Sequence, residues 1–233
     1  MITPPDQEPL LTYHAWTRLR RWYRRDGRHW LPWRQTSKPW AILLAETLLH
    51  RTNVNQAAKI YSVLLDEFKA PREVVEKERR WTELTKPIGL GWRSECFVKT
   101  CKILHERFDG IVPAKTTDLL LLPGIGHYTA AAVQCFGFGE RADVVDTNTI
   151  RIAARVAGES AKPGQHRTRR VQSLVHRLGP RAKPPLPQEN YALLDLAALI
   201  CVPRIPKCVQ CPIRLECATG NSVFEAHPKN EPQ

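Results

Sequence analysis

The chain lacks several things. No apolar run in its 233 residues approaches the ~18 that a membrane-spanning helix needs. This excludes an integral membrane protein of the helical type. The opening residues, MITPPDQEPL, carry no basic stretch followed by an apolar core. No signal peptide is expected, and a cytoplasmic location is. No set of alternating polar and apolar runs marks β-strands, and no internal repeat or low-complexity block stands out. Negative charge is short as well. Asp and Glu total 23 against 35 Lys and Arg, a formal net charge of +12. An excess of that size on a mixed-composition protein points to a polyanionic partner.

What remains reads as all-α, built from roughly ten helices. Leu11, Trp16, Leu19 and Trp22 recur at helical spacing with basic residues between them. WLPWRQTSKPW then breaks the pattern with two prolines. Residues 41–68 read as one or two helices. PREVVEKERRWTEL begins with a proline suited to a first helical turn. RSECFVKTCKILHERFDG is helical up to Gly110. VPAKTTDLLLL reads as a short helix capped by Thr116 or Thr117. YALLDLAALICVP is an apolar helix, and Asp195 inside it reads as a buried partner for an arginine.

The chain has seven cysteines. Disulfides are not expected in a reducing compartment. Cys96, Cys101 and Cys135 stand in apolar helical contexts and read as core residues. Cys201, Cys208, Cys211 and Cys217 crowd into seventeen residues with the pattern C-x6-C-x2-C-x5-C. Four thiolates so close together suit one metal centre. The spacing alone admits either zinc or an iron–sulfur cluster.

LLPGIGHYTAAAV, residues 121–133, stops an apolar run with a proline and two glycines and starts a helix of small residues at once. Backbone N–H groups around Gly124 and Gly126 at such a turn suit an anion, and on a basic protein a phosphate of DNA. An ordinary elbow between helices is the plain alternative. About twenty residues on, Asp146 in VVDTNTIR stands where a helix begins, and by itself reads as an N-cap.

Taken in order, these segments resemble the helix-hairpin-helix DNA glycosylases of the endonuclease III superfamily, over residues 25–217. LPWRQTSKPWAILLAETLLHRT is similar to that family's first inner helix, IGLGW to its wedge loop, and LPGIGHYTAAAV to its hairpin. VVDTNTIRIAARV is similar to the segment with its catalytic aspartate, and LICVPRIPKCVQCPIRLEC to its cluster loop. The resemblance implies a two-domain all-α fold, with residues 38–140 carrying the hairpin. Residues 1–37 plus 141–233 would form the cluster domain. The active site is expected in the cleft between the domains. It also implies a C-terminal [4Fe–4S] cluster on Cys201, Cys208, Cys211 and Cys217, in preference to zinc. The implied chemistry is excision of a base flipped out of the duplex. Asp146 would stabilise the oxocarbenium-like sugar or activate water.

The same resemblance bears on the substrate. Members that also cut the backbone carry a lysine two residues past the second hairpin glycine, where it forms a Schiff base. Here that residue is Tyr128, which implies a monofunctional enzyme leaving an abasic site. Glu46, inside apolar AILLAETLL, reads as a pocket carboxylate rather than a charge on a solvated face. His50 and Arg51 in LLHRT resemble the LLRRT of thymine mismatch glycosylases, and VDTN resembles their VDAN more than the LDGN of adenine enzymes. The sequence ends about sixteen residues after Cys217, without the further domain usual in adenine enzymes. The expectation is therefore excision of thymine or uracil from T:G and U:G mismatches in double-stranded DNA, by a monomer associated with the nucleoid. Arg51, His50 and Trp92 are expected at the gap or the orphan guanine. His127, Gly124 and Gly126 are expected on the backbone. Arg204, Lys207 and Arg214 read as phosphate contacts or a solvated face. Adenine excision opposite guanine or 8-oxoguanine is the rival within the class, and a non-catalytic DNA-binding module the rival outside it.

Overall fold

A computed structural model of the chain describes residues 8–50, 52–89, 91–159, 168–179 and 187–226. Among these residues all regular structure is helical. The chain forms two compact units, one of residues 29–142 and one made of the segment up to Arg28 together with Asp143 onward.

In the first unit the helices are α2 (Pro39–Leu49), α3 (Val54–Glu67), α4 (Pro71–Glu76), α5 (Glu78–Thr85), α6 (Gly91–Arg107), α7 (Thr116–Leu119) and α8 (His127–Ala132). Residues 41–68 thus divide into two helices, and Asn53 caps the second by accepting from the Asn55 N–H. Proline opens α2 and α4, where a missing N–H costs nothing. The unit begins at His29 because Trp33 is buried edge-on against Tyr61 of α3. Its core is aromatic. Phe97 stacks on Trp81 at 4.9 Å and on Trp40 at 5.5 Å, and Phe68 meets Trp81 edge-on. The Trp40 indole N–H donates to the Phe68 carbonyl at 2.8 Å, so the half-buried ring keeps its donor satisfied. Neither Thr116 nor Thr117 caps α7. Lys115 takes that position, and the Thr116 hydroxyl bonds the Gln134 side chain instead.

Helix α8 continues into a π-turn over Val133–Gly137 that packs on α2. A Cβ on Gly137 would lie 3.0 Å from Pro39 Cα. Only glycine allows the start of α2 to approach that closely, so Gly137 sets how the helix carrying Glu46 seats against the hairpin helix.

The second unit contains α1 (Tyr13–Asp26), α9 (Thr147–Ala157), α10 (Arg169–Leu178), α11 (Pro187–Leu199) and α12 (Ala218–Ala226). The α1 stripe read from the sequence is buried at Leu11, Trp16, Leu19 and Trp22, and α1 packs on α11. Asp195, fully buried in α11, accepts from the Arg28 backbone N–H at 2.7 Å and from its Nε at 2.8 Å. That is the arginine partner the sequence called for. Helix α9 packs against α10, α11 and α12, which places it at the centre of this unit.

Candidate active site

Helix α2 is apolar on every side, and Ala41 to Ala45 and Leu48 are all buried. Glu46 stands in this run and is 8% exposed. A carboxyl group in such a place carries a desolvation cost that folding alone gives no reason to accept. Glu46 lines a pocket with Thr47, His50, Trp92, Arg93, Cys96, Phe97, Pro123, Gly124, Ile125 and Thr129. Three separate segments build it: the end of α2, the start of α6 and the hairpin. Aromatic Phe97 of the core forms part of its lining. His50 meets Trp92 edge-on at 6.2 Å, and Trp92 is 59% exposed. An exposed tryptophan at the mouth of a pocket suits a group that stacks or wedges. Arg93 is held by Thr52 Oγ1 at 3.1 Å and the Gly89 carbonyl at 3.0 Å.

The hairpin needs its glycine. Gly124 has φ +77°, and a Cβ there would fall 3.3 Å from Cys96 Cβ. Gly126 is the N-cap of α8. His127 is exposed and Tyr128 half-buried beside it. Of the residues nominated from sequence, Glu46, His50, Trp92 and Gly124 meet in this pocket, with Tyr128 next to its Thr129 wall. Arg51 lies outside the described residues. Cys96 departs from the core role read for it: it is half-exposed and lines the pocket, whereas Cys101 and Cys135 are buried. Thr47, Arg93 and Thr129 were not singled out from sequence. Only their neighbours Glu46, Trp92 and Tyr128 carried a signal.

Asp146 lies in the other unit, as the N-cap of α9. Its Oδ1 accepts from the Asn148 N–H at 2.9 Å and the Thr149 N–H at 2.8 Å. The Thr149 hydroxyl accepts from the Asp146 N–H at 3.0 Å, completing a capping box. Oδ2 accepts from Asn148 Nδ2 at 2.6 Å. The cap occupies one oxygen and orients the other, so the carboxylate has a fixed direction.

A hydrogen-bonded chain leads on from Asp146. Asn148 Oδ1 accepts from Arg151 Nη2 at 3.2 Å, and Arg151 Nε donates to the Cys201 carbonyl at 2.8 Å. Burial draws the Arg151 guanidinium below its ordinary value. One turn on, Arg155 donates to Cys201 Sγ at 3.3 Å and to the carbonyls of Val202 and Pro203 at 2.8 and 2.7 Å. Neither arginine was singled out from sequence. Their spacing on α9 gave no sign that the partners lie fifty residues away.

Cys201, Cys208, Cys211 and Cys217 line a second pocket, walled by Ile152, Val156, Leu196, Ile200 and Ile213. Burial, reinforced by the neighbouring cysteines, pushes the Cys211 thiol up to about 12 and raises Cys208 and Cys217. Such thiols ionise when a cation takes up the charge. Among the described residues no three His, Cys, Asp or Glu side chains form a group that could hold a single metal ion. A tetrahedral zinc site needs sulfurs about 3.8 Å apart, from Zn–S distances of about 2.3 Å. A four-iron cube, with one thiolate per iron, accepts sulfurs set wider apart. Four cysteines around one apolar pocket are a donor set that suits a metal centre of either kind.

Residues 107–136 match the helix-hairpin-helix motif family. The chain is 35% identical to the thymine-DNA glycosylase of Aeropyrum pernix, over 88% of this chain and 93% of that protein. It is 32% identical to the adenine DNA glycosylase of Mycobacterium tuberculosis, over 84% of this chain and 65% of that one. Its fold superposes on the structure of a thermostable thymine-DNA glycosylase with a TM-score of 0.81 at 31% identity, over 89% of this chain and 95% of the other. The fold and the motif define a helix-hairpin-helix protein. The chain belongs to the helix-hairpin-helix DNA glycosylases of the endonuclease III superfamily, and it is a DNA glycosylase.

Proposed function

We propose that this glycosylase excises thymine or uracil from T:G and U:G mismatches in duplex DNA, acting as a monomer and leaving an abasic site. The observation that carries the reading is the Glu46 pocket. It presents one carboxylate, hydroxyls and an apolar floor, and among the described residues no lysine lines it. The names of the relatives with the fuller coverage point the same way. A flipped pyrimidine enters with its N3–H and carbonyls facing polar groups, and Glu46 accepts a hydrogen bond from it. Trp92 wedges into the gap, and Arg51, whose side chain suits a guanine edge, contacts the orphaned base. The hairpin at Gly124, Gly126 and His127 holds a backbone phosphate. The glycosidic bond breaks with its electron pair leaving on the base. Asp146 Oδ2 stabilises the positive charge on the sugar or orients the water that adds to it. Tyr128 carries no amine and forms no imine, so the sugar–phosphate backbone stays intact.

Cys201, Cys208, Cys211 and Cys217 hold a [4Fe–4S] cluster in this reading. The cluster when bound braces a basic loop, and hydrolysis of the base requires no electron from it. A brown protein with visible absorbance is the expected result; a colourless, zinc-containing one overturns it.

The test of the activity is base release from T:G, U:G, A:G and A:8-oxoguanine duplexes, with and without alkali. Strand breaks at T:G and U:G only after alkali are expected. Cutting of the adenine duplexes instead would make Glu46 a proton donor to a purine and replace this reading. Breaks without alkali would overturn the monofunctional assignment.

A further inference from the structure

Six arginines fall between positions 18 and 28, five of them on α1. Four are matched by the protein's own carboxylates. Arg18 pairs with Glu216 at 2.9 Å, Arg25 with Asp26 at 2.7 Å and Arg28 with Asp195 at 2.8 Å, and Arg20 pairs with Glu189. Arg21 and Arg24 are exposed, and neither has an ion pair among the described residues. They lie three residues apart, on one face and about 4.5 Å apart along the helix axis. The opposite face, at Ala15, Trp16, Leu19, Trp22 and Tyr23, is buried. Like charges at this spacing oppose helix formation. The helix dipole favours Arg24 and Arg25 in the last turn but gives no reason for Arg21.

We propose that the outer face of α1, at Arg21 and Arg24, is a contact for the phosphate backbone of double-stranded DNA away from the damaged base, used whatever the lesion. Phosphates recur along one strand at about 3.4 Å of rise, and two long arginine side chains one turn apart on a single face can each reach one of them. A planar guanidinium binds phosphate through paired N–H donors. Membership of a DNA glycosylase family and a net charge of +12 favour a duplex over another polyanion as the occupant. Arg25 adjoins the face but is held by Asp26, itself exposed. Removing the Asp26 charge therefore adds a third cation to the same surface. The inference rests on the family and not on the preference for thymine.

The test is binding to a lesion-free duplex as salt rises from about 50 to 200 mM. Each phosphate contact contributes about 0.9 to the slope of log K against log[salt]. The Arg21→Gln, Arg24→Gln double variant is expected to lose up to about 2 from that slope, so the parent's affinity falls about tenfold more over this range. Asp26→Asn is expected to steepen the slope by about 1. Single-turnover excision at saturating enzyme stays unchanged in both. Circular dichroism shows whether α1 is intact, and Asp26→Asn keeps the test open if the double variant unfolds. Slopes equal to the parent's in both variants overturn the proposal. So does a double variant that loses binding to anionic lipid vesicles while its DNA slope is unchanged.

Discussion

Glu46 sits in the middle of α2 among apolar side chains, whereas Asp146 stands at the mouth of α9 with its carboxylate bonded by Asn148 and Thr149. The first carboxyl is buried in a pocket, and the second is aimed by hydrogen bonds at the start of its own helix. A buried group is positioned by whatever packs around it, and packing tolerates exchange among groups of similar volume. A group fixed by directional bonds loses its position when one partner goes. Asp146 is also tied, through Asn148 and Arg151, to the backbone of Cys201. The Glu46 pocket depends on Gly124 fitting against Cys96.

The contrast breaks most sharply at Asp146. Asp146→Asn keeps a good N-cap, so thermal stability should change little. Single-turnover base release should fall by about 10²–10³-fold or more, with mismatch binding retained. Equal losses of stability and activity would mean that the cap is all Asp146 does. Glu46→Gln should lower excision by about 10²-fold while leaving the melting temperature equal or higher, because an amide is cheaper to bury than a charge. An unchanged rate would return Glu46 to a structural role.

The next largest effect is on stability alone. Asp195→Asn leaves Arg28 half-buried without its charge, and breaking such a pair costs about 3–5 kcal/mol. Denaturant unfolding should show this, with excision by the folded fraction unaltered. Arg151→Ala cuts the link between Asp146 and the cysteine loop. It should cost about 1–3 kcal/mol and reduce both the visible absorbance of the proposed cluster and the excision rate. Activity lost with absorbance intact would place its effect on Asp146 alone. Gly124→Ala is the mildest, at about 1–2 kcal/mol from the left-handed backbone. Its effect should be confined to the pocket half of the comparison.

Much of the candidate site was legible in the sequence, for physical reasons that differ by residue. Asp146 showed itself because N-capping is a local interaction over three residues. The hairpin showed itself because positive φ at Gly124 restricts residue type. Glu46 showed itself because a charge interrupts an otherwise apolar helix. Cys96 was misread as core, because helical periodicity reports a side chain's face and not what the other side of that face meets. Thr116 was misread as a cap for a similar reason: its hydroxyl found Gln134, eighteen residues on.

The sequence by itself determined the helical pattern, the capped start of α9, the glycine hairpin and the four clustered cysteines, because each rests on neighbours within a turn or two of chain. Tertiary structure alone decided that Cys96 joins the Glu46 pocket, that Arg28 is the partner of Asp195, and that Arg151 and Arg155 reach Cys201. Those pairings span from about thirty to nearly one hundred and seventy residues. A buried charge or carbonyl needs a partner, but which distant residue supplies it is fixed only when the helices pack.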